Sequence, residues 1–382
     1  SSPTVVNCTF SDNTATHRGG GMVNDGSSPA VEGCVFSGNT ANNGGGMYNN
    51  SSSPAVTGCA FSGNTADNGG GMLNNESIPK VTNCTFSGNV ANINGGGIQN
   101  LESSPTVVNC TFSGNTANTL GGGMYNIIES SPTMANTILW GNTAPADRGP
   151  DICQNGSTLT LQNCVVGKYQ LTNNATISGT PITGDPKLKA LNKAGGDPAT
   201  PADVYIYALQ SGSSALNAGL DVDTDVANGV KVPDTDQLGT GRPQGAGVDI
   251  GAFEAILCTI TYEKNGGDGD MTPDAAVVGV AFELPACTFT SPTGQQFNAW
   301  AIGSVSGTPV SAGNTYTFDA DTTVFALWEP ANYQVKVNGG TSTPPNSAAY
   351  NTPVTITANT PSGQRFIGWT IISGNPPLTD AS

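Results

Sequence analysis

Nine cysteines, one histidine and 28 acidic side chains carry most of the reactive chemistry available to this 382-residue chain. Cys8, Cys34, Cys59, Cys84 and Cys110 recur at a near-constant interval, and Cys164 falls two intervals further on. Zinc needs four ligands set tetrahedrally, usually from Cys-x-x-Cys pairs, and the chain has none. Disulfides between successive thiols are allowed if the intervals stack, because a Cα separation of about 5 Å lies within the bonding range. Small buried thiols packed as hydrophobes are the simpler reading of such a column. Nucleophilic catalysis of the Ser/His/Asp or Cys/His type needs a positioned imidazole. The only histidine, His17, sits in the turn-like stretch His-Arg-Gly-Gly and has no counterpart in later intervals. Polysaccharide cleavage asks for two or three carboxylates on one face, or an acidic calcium cluster with a basic partner. Asp12, Asp25, Glu32, Asp67, Glu76, Glu102, Glu129, Asp147 and Asp151 do not share a register, and Glu76, Glu102 and Glu129 precede a Ser-x-Pro turn on an exposed rim. Asp221, Asp223 and Asp225 have the alternate spacing of a calcium loop, but Val226 and Pro233 stand where such a loop has its glycine and its last acid. A solvated acidic turn is the favoured reading there, and calcium the alternative.

The elements that position these groups come from one repeat. Segments of the type SSPTVVNCTFSGNTA begin at 1, 27, 52, 77 and 103, with a divergent copy at 130, and a GGG[MI] motif ends at Met22, Met47, Met72, Ile98 and Met124. A fixed period of 25–26 residues marks stacked units that cannot bury their faces alone. Each unit is rich in Gly, Asn and Pro and has no 3.6-residue apolar stripe, so it reads as short strands between turns. Parallel stacking gives a right-handed parallel β-helix, with adjacent coils about 4.8 Å apart. Every repeated position then becomes a ladder. Phe36, Phe61, Phe86 and Phe112 stack inside with Phe10, and Met47, Met72 and Met124 with Met22 and Ile98; Asn39, Asn64, Asn89 and Asn115 form an amide column with Asn13 and Asn142. Thr137 replaces the cysteine in the divergent coil. The threonine column Thr14, Thr40, Thr65, Thr116 and Thr143 is broken by Val90 and has no regular partner column, which makes a poor ice-binding face.

The alternating Gly-Gly-[Met/Ile] and Phe-Ser-Gly-Asn motifs resemble the repeats of the polymorphic outer-membrane-protein family and of bacterial right-handed β-helix surface proteins. The resemblance implies a secreted or cell-surface stalk or adhesin with no catalytic residues to transfer. Asp185-Pro186, Ser213 through Gly219, Arg242-Pro243 and Asp249 through Glu254 are similar to the C-terminal part of the choice-of-anchor Q domain. That implies a cap over the open β-helix edge, with Arg242 and Asp249 paired beneath it. From Cys258 to Trp328 the chain resembles the Listeria–Bacteroides (internalin B-type) repeat, a β-grasp-like module, and a divergent copy follows that breaks off at Ser382. Cys258 and Cys287 could form a disulfide in an exported protein.

These readings divide the chain into a β-helix (1–175), a cap region (176–256), one repeat module (257–330) and a second, truncated one (331–382). The expected class is all-β. Charged residues are 10% of the chain, against about 25% in a typical globular domain. The formal net charge of −16 argues against nucleic acid or an anionic membrane as partner. No apolar run reaches the ~20 residues of a spanning helix. The opening on Ser1 and the broken last module suggest a segment cut from a longer surface protein. The expected role is a non-enzymatic prokaryotic stalk or adhesin, exported, without a cofactor. Its partner would be a glycan or protein of a host or neighbouring cell, or further copies of itself in a filament. A carbohydrate-binding or carbohydrate-cleaving β-helix is the alternative.

Overall fold

The computed structural model describes residues 2–192, 205–345, 347–350 and 352–370. Every regular element among them is a strand. Four parallel sheets wrap the repeats into a β-helix, the smallest of three strands, and the other three are named here for their inward residues. The valine sheet has eight strands, from Thr4–Val6 through Ala30–Glu32 to Thr176–Ser178. The phenylalanine sheet has seven, from Thr9–Ser11 to Val165–Val166. The methionine sheet also has seven, from Met22–Asp25 to Tyr169–Thr172.

The register is one residue on its repeat equivalent throughout: Val31 on Val56, Phe36 on Phe61, Met47 on Met72. Phe36, Phe61, Phe86, Phe112, Met47, Met72, Met124 and the inward valines are fully buried in a single core. Successive phenylalanine rings lie 4.5–4.8 Å apart and within 4° of parallel. That spacing is the strand-to-strand distance of a sheet, so the hydrogen-bonded backbone dictates the ring geometry.

Two backbone features explain the Gly/Asn content. The corner between valine and phenylalanine strands is left-handed at Asn7, Gly33, Gly58, Asn83, Asn109, Asn136 and Asn163, with φ of 46–65°, a region that glycine and asparagine adopt most readily. In the Gly-Gly-Gly turn the coils approach so closely that a Cβ on Gly45 would lie 2.5 Å from the carbonyl oxygen of Gly70 and 2.6 Å from that of Thr65.

The chain separates into two compact units, the first comprising Ser1–Thr259, Ala275–Phe282 and Thr317–Ala320. Within it, residues 205–256 lie along the flank of the β-helix instead of closing an end. Their partners run from Cys59, whose carbonyl accepts from Gln237 Nε2, to Asn163, whose amide donates to the Ala218 carbonyl. The cap expectation is corrected accordingly, and the reason is visible in the coils. Outward positions turn apolar at Val108, Ala135, Ile138 and Val165, and these are covered by Val230, Val232 and Val248 and by Ala208, Leu209, Ala215 and Ile250. Asn136 fastens the flap from both amide atoms, accepting from Leu220 N at 2.6 Å and donating to Leu220 O at 3.1 Å.

In the second unit, Thr322–Pro330 pairs antiparallel with Gln295–Ile302, while Ile260–Glu263 pairs parallel with Thr322–Phe325. Trp300 is its fully buried centre, with Tyr262 and Phe297 rings at 5.2 and 5.0 Å. After residue 331 two antiparallel pairs are described, Asn332–Gln334 with Ser347–Ala349 and Gly340–Thr343 with Thr355–Ala358. The expected break in the last module falls on residues 371–382, outside the described residues.

Candidate functional site

The amide column is a directional chain. Asn13, Asn39, Asn64, Asn89 and Asn115 each donate Nδ2–H to Oδ1 of the next asparagine at 2.8–2.9 Å, and the same Oδ1 accepts the preceding backbone N–H at 3.0–3.1 Å. From Asn39 onward, the second Nδ2 proton goes to a phenylalanine carbonyl one coil back, at 2.8–3.0 Å. Asn142 passes the chain to Asp151, whose Oδ1 accepts its backbone N–H at 3.1 Å and its Nδ2–H at 2.8 Å. Asp151 Oδ2 accepts from Lys168 N at 2.8 Å. Burial pushes the Asp151 carboxyl up from its ordinary pKa, and the Asn142 and Lys168 donors oppose that rise.

Asp151 stands where earlier coils have the third glycine of the triplet, directly before Ile152 as Gly123 is before Met124. The next coil is short: Thr158 meets Thr176 after 18 residues, where the preceding step from Thr133 to Thr160 takes 27. No asparagine turn is left to stack on Asn142, so the acid's side chain fills that place. The missing turn also leaves a recess of about 450 Å³ lined by Trp140, Asn142, Thr143, Asp151, Gly167 and Lys168 among others. In the sequence Asp151 stands among acids that share no register, and nothing in the repeat singles out Trp140. The signal was present in the divergent coil, where Gly-Pro-Asp replaces Gly-Gly-Gly.

The cysteine column is a second ladder. The backbone N–H of Cys8, Cys34, Cys59 and Cys84 donates to the next Sγ at 3.3–3.4 Å, and Cys110 N donates to Thr137 Oγ1 at 3.3 Å. Each thiol donates to the carbonyl two residues before it, from Cys8 to Val6 through to Cys164 to Gln162. Burial holds Cys59 and Cys84 far above the ordinary thiol range and pushes Cys164 up to about 12; Cys34 is held up first by its contact with Cys59 and then by burial. These are protonated, packed thiols and poor nucleophiles. Cys8 alone of the column is exposed.

A second amide ladder was missed. Asn24, Asn49, Asn74, Asn100 and Asn126, each two residues after the repeat methionine or isoleucine, bond Nδ2 to Oδ1 at 2.7–2.8 Å. Their constant place in the period was the available signal.

Two expectations and the calcium alternative fail in the structure. Asp221, Asp223 and Asp225 do not converge: Asp225 opens a strand paired to Lys231, Asp223 N bonds to Val232 O, and no group of three potential ligands occurs among the described residues. Cys258 and Cys287 form no disulfide, and the Cys258 thiol instead donates to the Ala276 carbonyl. Arg242 pairs with Glu254, not with the Asp249 carboxylate, at 2.7 Å, and donates to the Asp249 and Gly251 carbonyls. Asp249 uses its carboxylate on Asn217 N and Ala255 N instead. Burial, foremost, pushes Asp249 up to about 6.

Other acids lie apart. Asp25 and Asp67 accept from Asn50 and Asn92. Glu76, Glu102 and Glu129 sit on exposed left-handed corners. His17 is an exposed turn residue whose carbonyl accepts from Asn43.

No curated protein and no solved structure matches the chain. Residues 1–176 match the family described as right handed beta helix region. The chain is thus an all-β protein whose repeats form a right-handed parallel β-helix.

Proposed function

We propose that this chain is a non-enzymatic, extracellular stalk with an adhesive role, exported by a prokaryote. The observation that carries the reading is the amide chain running unbroken from Asn13 to Asp151. It engages one asparagine amide in each of six coils in holding neighbouring coils together, as a rod under tension requires. The outer flap along the later coils takes the place of the choice-of-anchor Q-like part, and the second unit that of a Listeria–Bacteroides-type spacer with a β-grasp-like fold. The partner is a glycan or protein of another cell surface; self-association into a filament is a variant of the same role.

A carbohydrate-binding or carbohydrate-cleaving β-helix is the second reading, favoured by the recess between Trp140 and Asp151. Fold alone does not choose between the two. The deciding experiment incubates the whole chain with acidic and neutral polysaccharides, with and without calcium, and follows reducing ends and unsaturated products. The stalk reading expects neither product from any polymer. Cleavage of one polymer overturns it.

A further inference from the structure

We infer that the recess on the sixth coil binds one neutral hexopyranose unit of a glycan, a proposal that deepens the adhesive reading above and rests on it. The outward position that is serine in five coils, Ser11, Ser37, Ser62, Ser87 and Ser113, is Trp140 in the sixth. An indole replaces a small hydroxyl at the one level where the stack above is cut short. It is half-buried, packed at one side against the flap's apolar cluster.

The floor beside it is Gly167. A Cβ there would lie 2.6 Å from Asp151 Oδ2 and 3.2 Å from Trp140 Cε3, so the carboxylate and the indole edge close on bare backbone, and a methyl group would have to push one of them aside. Gly167 does not have a left-handed φ, so its backbone conformation does not require glycine. A carboxylate offers about four acceptor positions. Three are used, two on Oδ1 and one on Oδ2, which leaves Oδ2 able to take a hydroxyl. Lys168 is exposed on the rim and supplies donors.

A pyranose suits this set of groups. Its C–H face packs on the indole, one hydroxyl donates to Asp151 and another accepts from Lys168. Asp151 and Lys168 balance in sign, as do the neighbouring Asp147 and Arg148, which are paired at 3.8 Å. That balance favours a neutral sugar over an acidic one. The recess volume of about 450 Å³ lies within the usual range for small-ligand sites.

The test titrates the full chain with cellobiose, laminaribiose, maltose and lactose by calorimetry and tryptophan fluorescence. At least one disaccharide should bind saturably. Trp140→Ala and Gly167→Ala should each weaken it tenfold or more, and Tyr333→Ala, in the other unit, should leave it unchanged. Where Trp140→Ala fails to fold, Gly167→Ala decides. Binding of none of the four, or binding that both folded variants retain, overturns the proposal. Polysaccharide cleavage would instead overturn the stalk reading while leaving this site in place, so the two failures are distinguishable.

Discussion

Asparagine and aspartate differ by one donor, and the amide chain makes that difference measurable. At Asn89 the side chain must donate twice, to Phe61 O at 2.9 Å and Asn115 Oδ1 at 2.8 Å, while accepting from Asn64 N and Nδ2. Asn89→Asp keeps both acceptances and turns both donations into oxygen–oxygen contacts in a fully buried site. Each buried acceptor stripped of its donor costs about 1–3 kcal/mol. Asn115 Oδ1 keeps the Asn89 backbone N–H, which places that half at the low end. The sum, with an unpartnered carboxyl in the core, is about 4 kcal/mol, or roughly a thousandfold in the folded-to-unfolded ratio. The new carboxyl's folded pKa lies above its unfolded value of about 3.9. The penalty is therefore full above the folded pKa and shrinks as pH falls through it, because a protonated carboxyl regains one donor. Asp151→Asn is the mirror test. Its Oδ1 still accepts from Asn142, and only the Lys168 N–H bond is lost. Its cost should be about 1–2 kcal/mol. Urea midpoints by far-ultraviolet circular dichroism at pH 5 and pH 8 measure both. Equal losses in the two variants, or an Asn89→Asp midpoint equal to the parent's at pH 8, would refute the directional chain.

Phe86→Ala removes one ring from a stack with neighbours at 4.6 and 4.5 Å and should cost about 3–5 kcal/mol, whereas Phe86→Leu should cost less than about 1.5, since Leu139 already fills that register. Denaturant midpoints compare them. Gly45→Ala drives a Cβ into two backbone oxygens and should prevent coil stacking, while Gly63→Ala, with open space around it and φ of +62°, should cost only about 1–2 kcal/mol; thermal melts check the order. The flap should grow more stable on acidification from pH 8 to pH 5. Asp249 has a folded pKa near 6 against 3.8 for the ordinary group, so its penalty is complete above pH 6 and is relieved below it, by about 2–3 kcal/mol in all. Hydrogen exchange of the 205–256 amides across that range tests the sign. Arg242→Met, which strands buried Glu254, should lower flap protection at every pH.

The β-helix was legible because repetition supplies its own register. Once Phe36 is placed, Phe61, Phe86 and Phe112 follow one strand spacing apart, and no long-range contact has to be guessed. Legibility stopped where the repeat does. The flap's place depends on Val108, Ala135, Ile138 and Val165 meeting a segment about 40–140 residues later, and no local pattern encodes that meeting. The Arg242 partner was misjudged for the same reason: Asp249 and Glu254 belong to one short motif, and only the folded loop decides which carboxylate faces the guanidinium. The recess was hidden because Asp151 answers to Asn142 across nine residues of chain, from a place that a glycine holds in earlier coils.

The amides of the column all turn their Oδ1 back and one N–H forward, so their dipoles add, with the positive end at Asp151, much as in a helix. Such a row has a head and a tail. A coil duplicated or deleted between Asn39 and Asn115 asks nothing new of its neighbours, since every junction there offers one donor to one acceptor. Beyond Asp151 that exchange stops, because its two oxygens accept from Asn142 and Lys168 and the side chain has no amide N–H to hand on. Unequal recombination among near-identical 25-residue units can therefore lengthen or shorten the rod within the array, while the acid fixes the terminus at which counting ends.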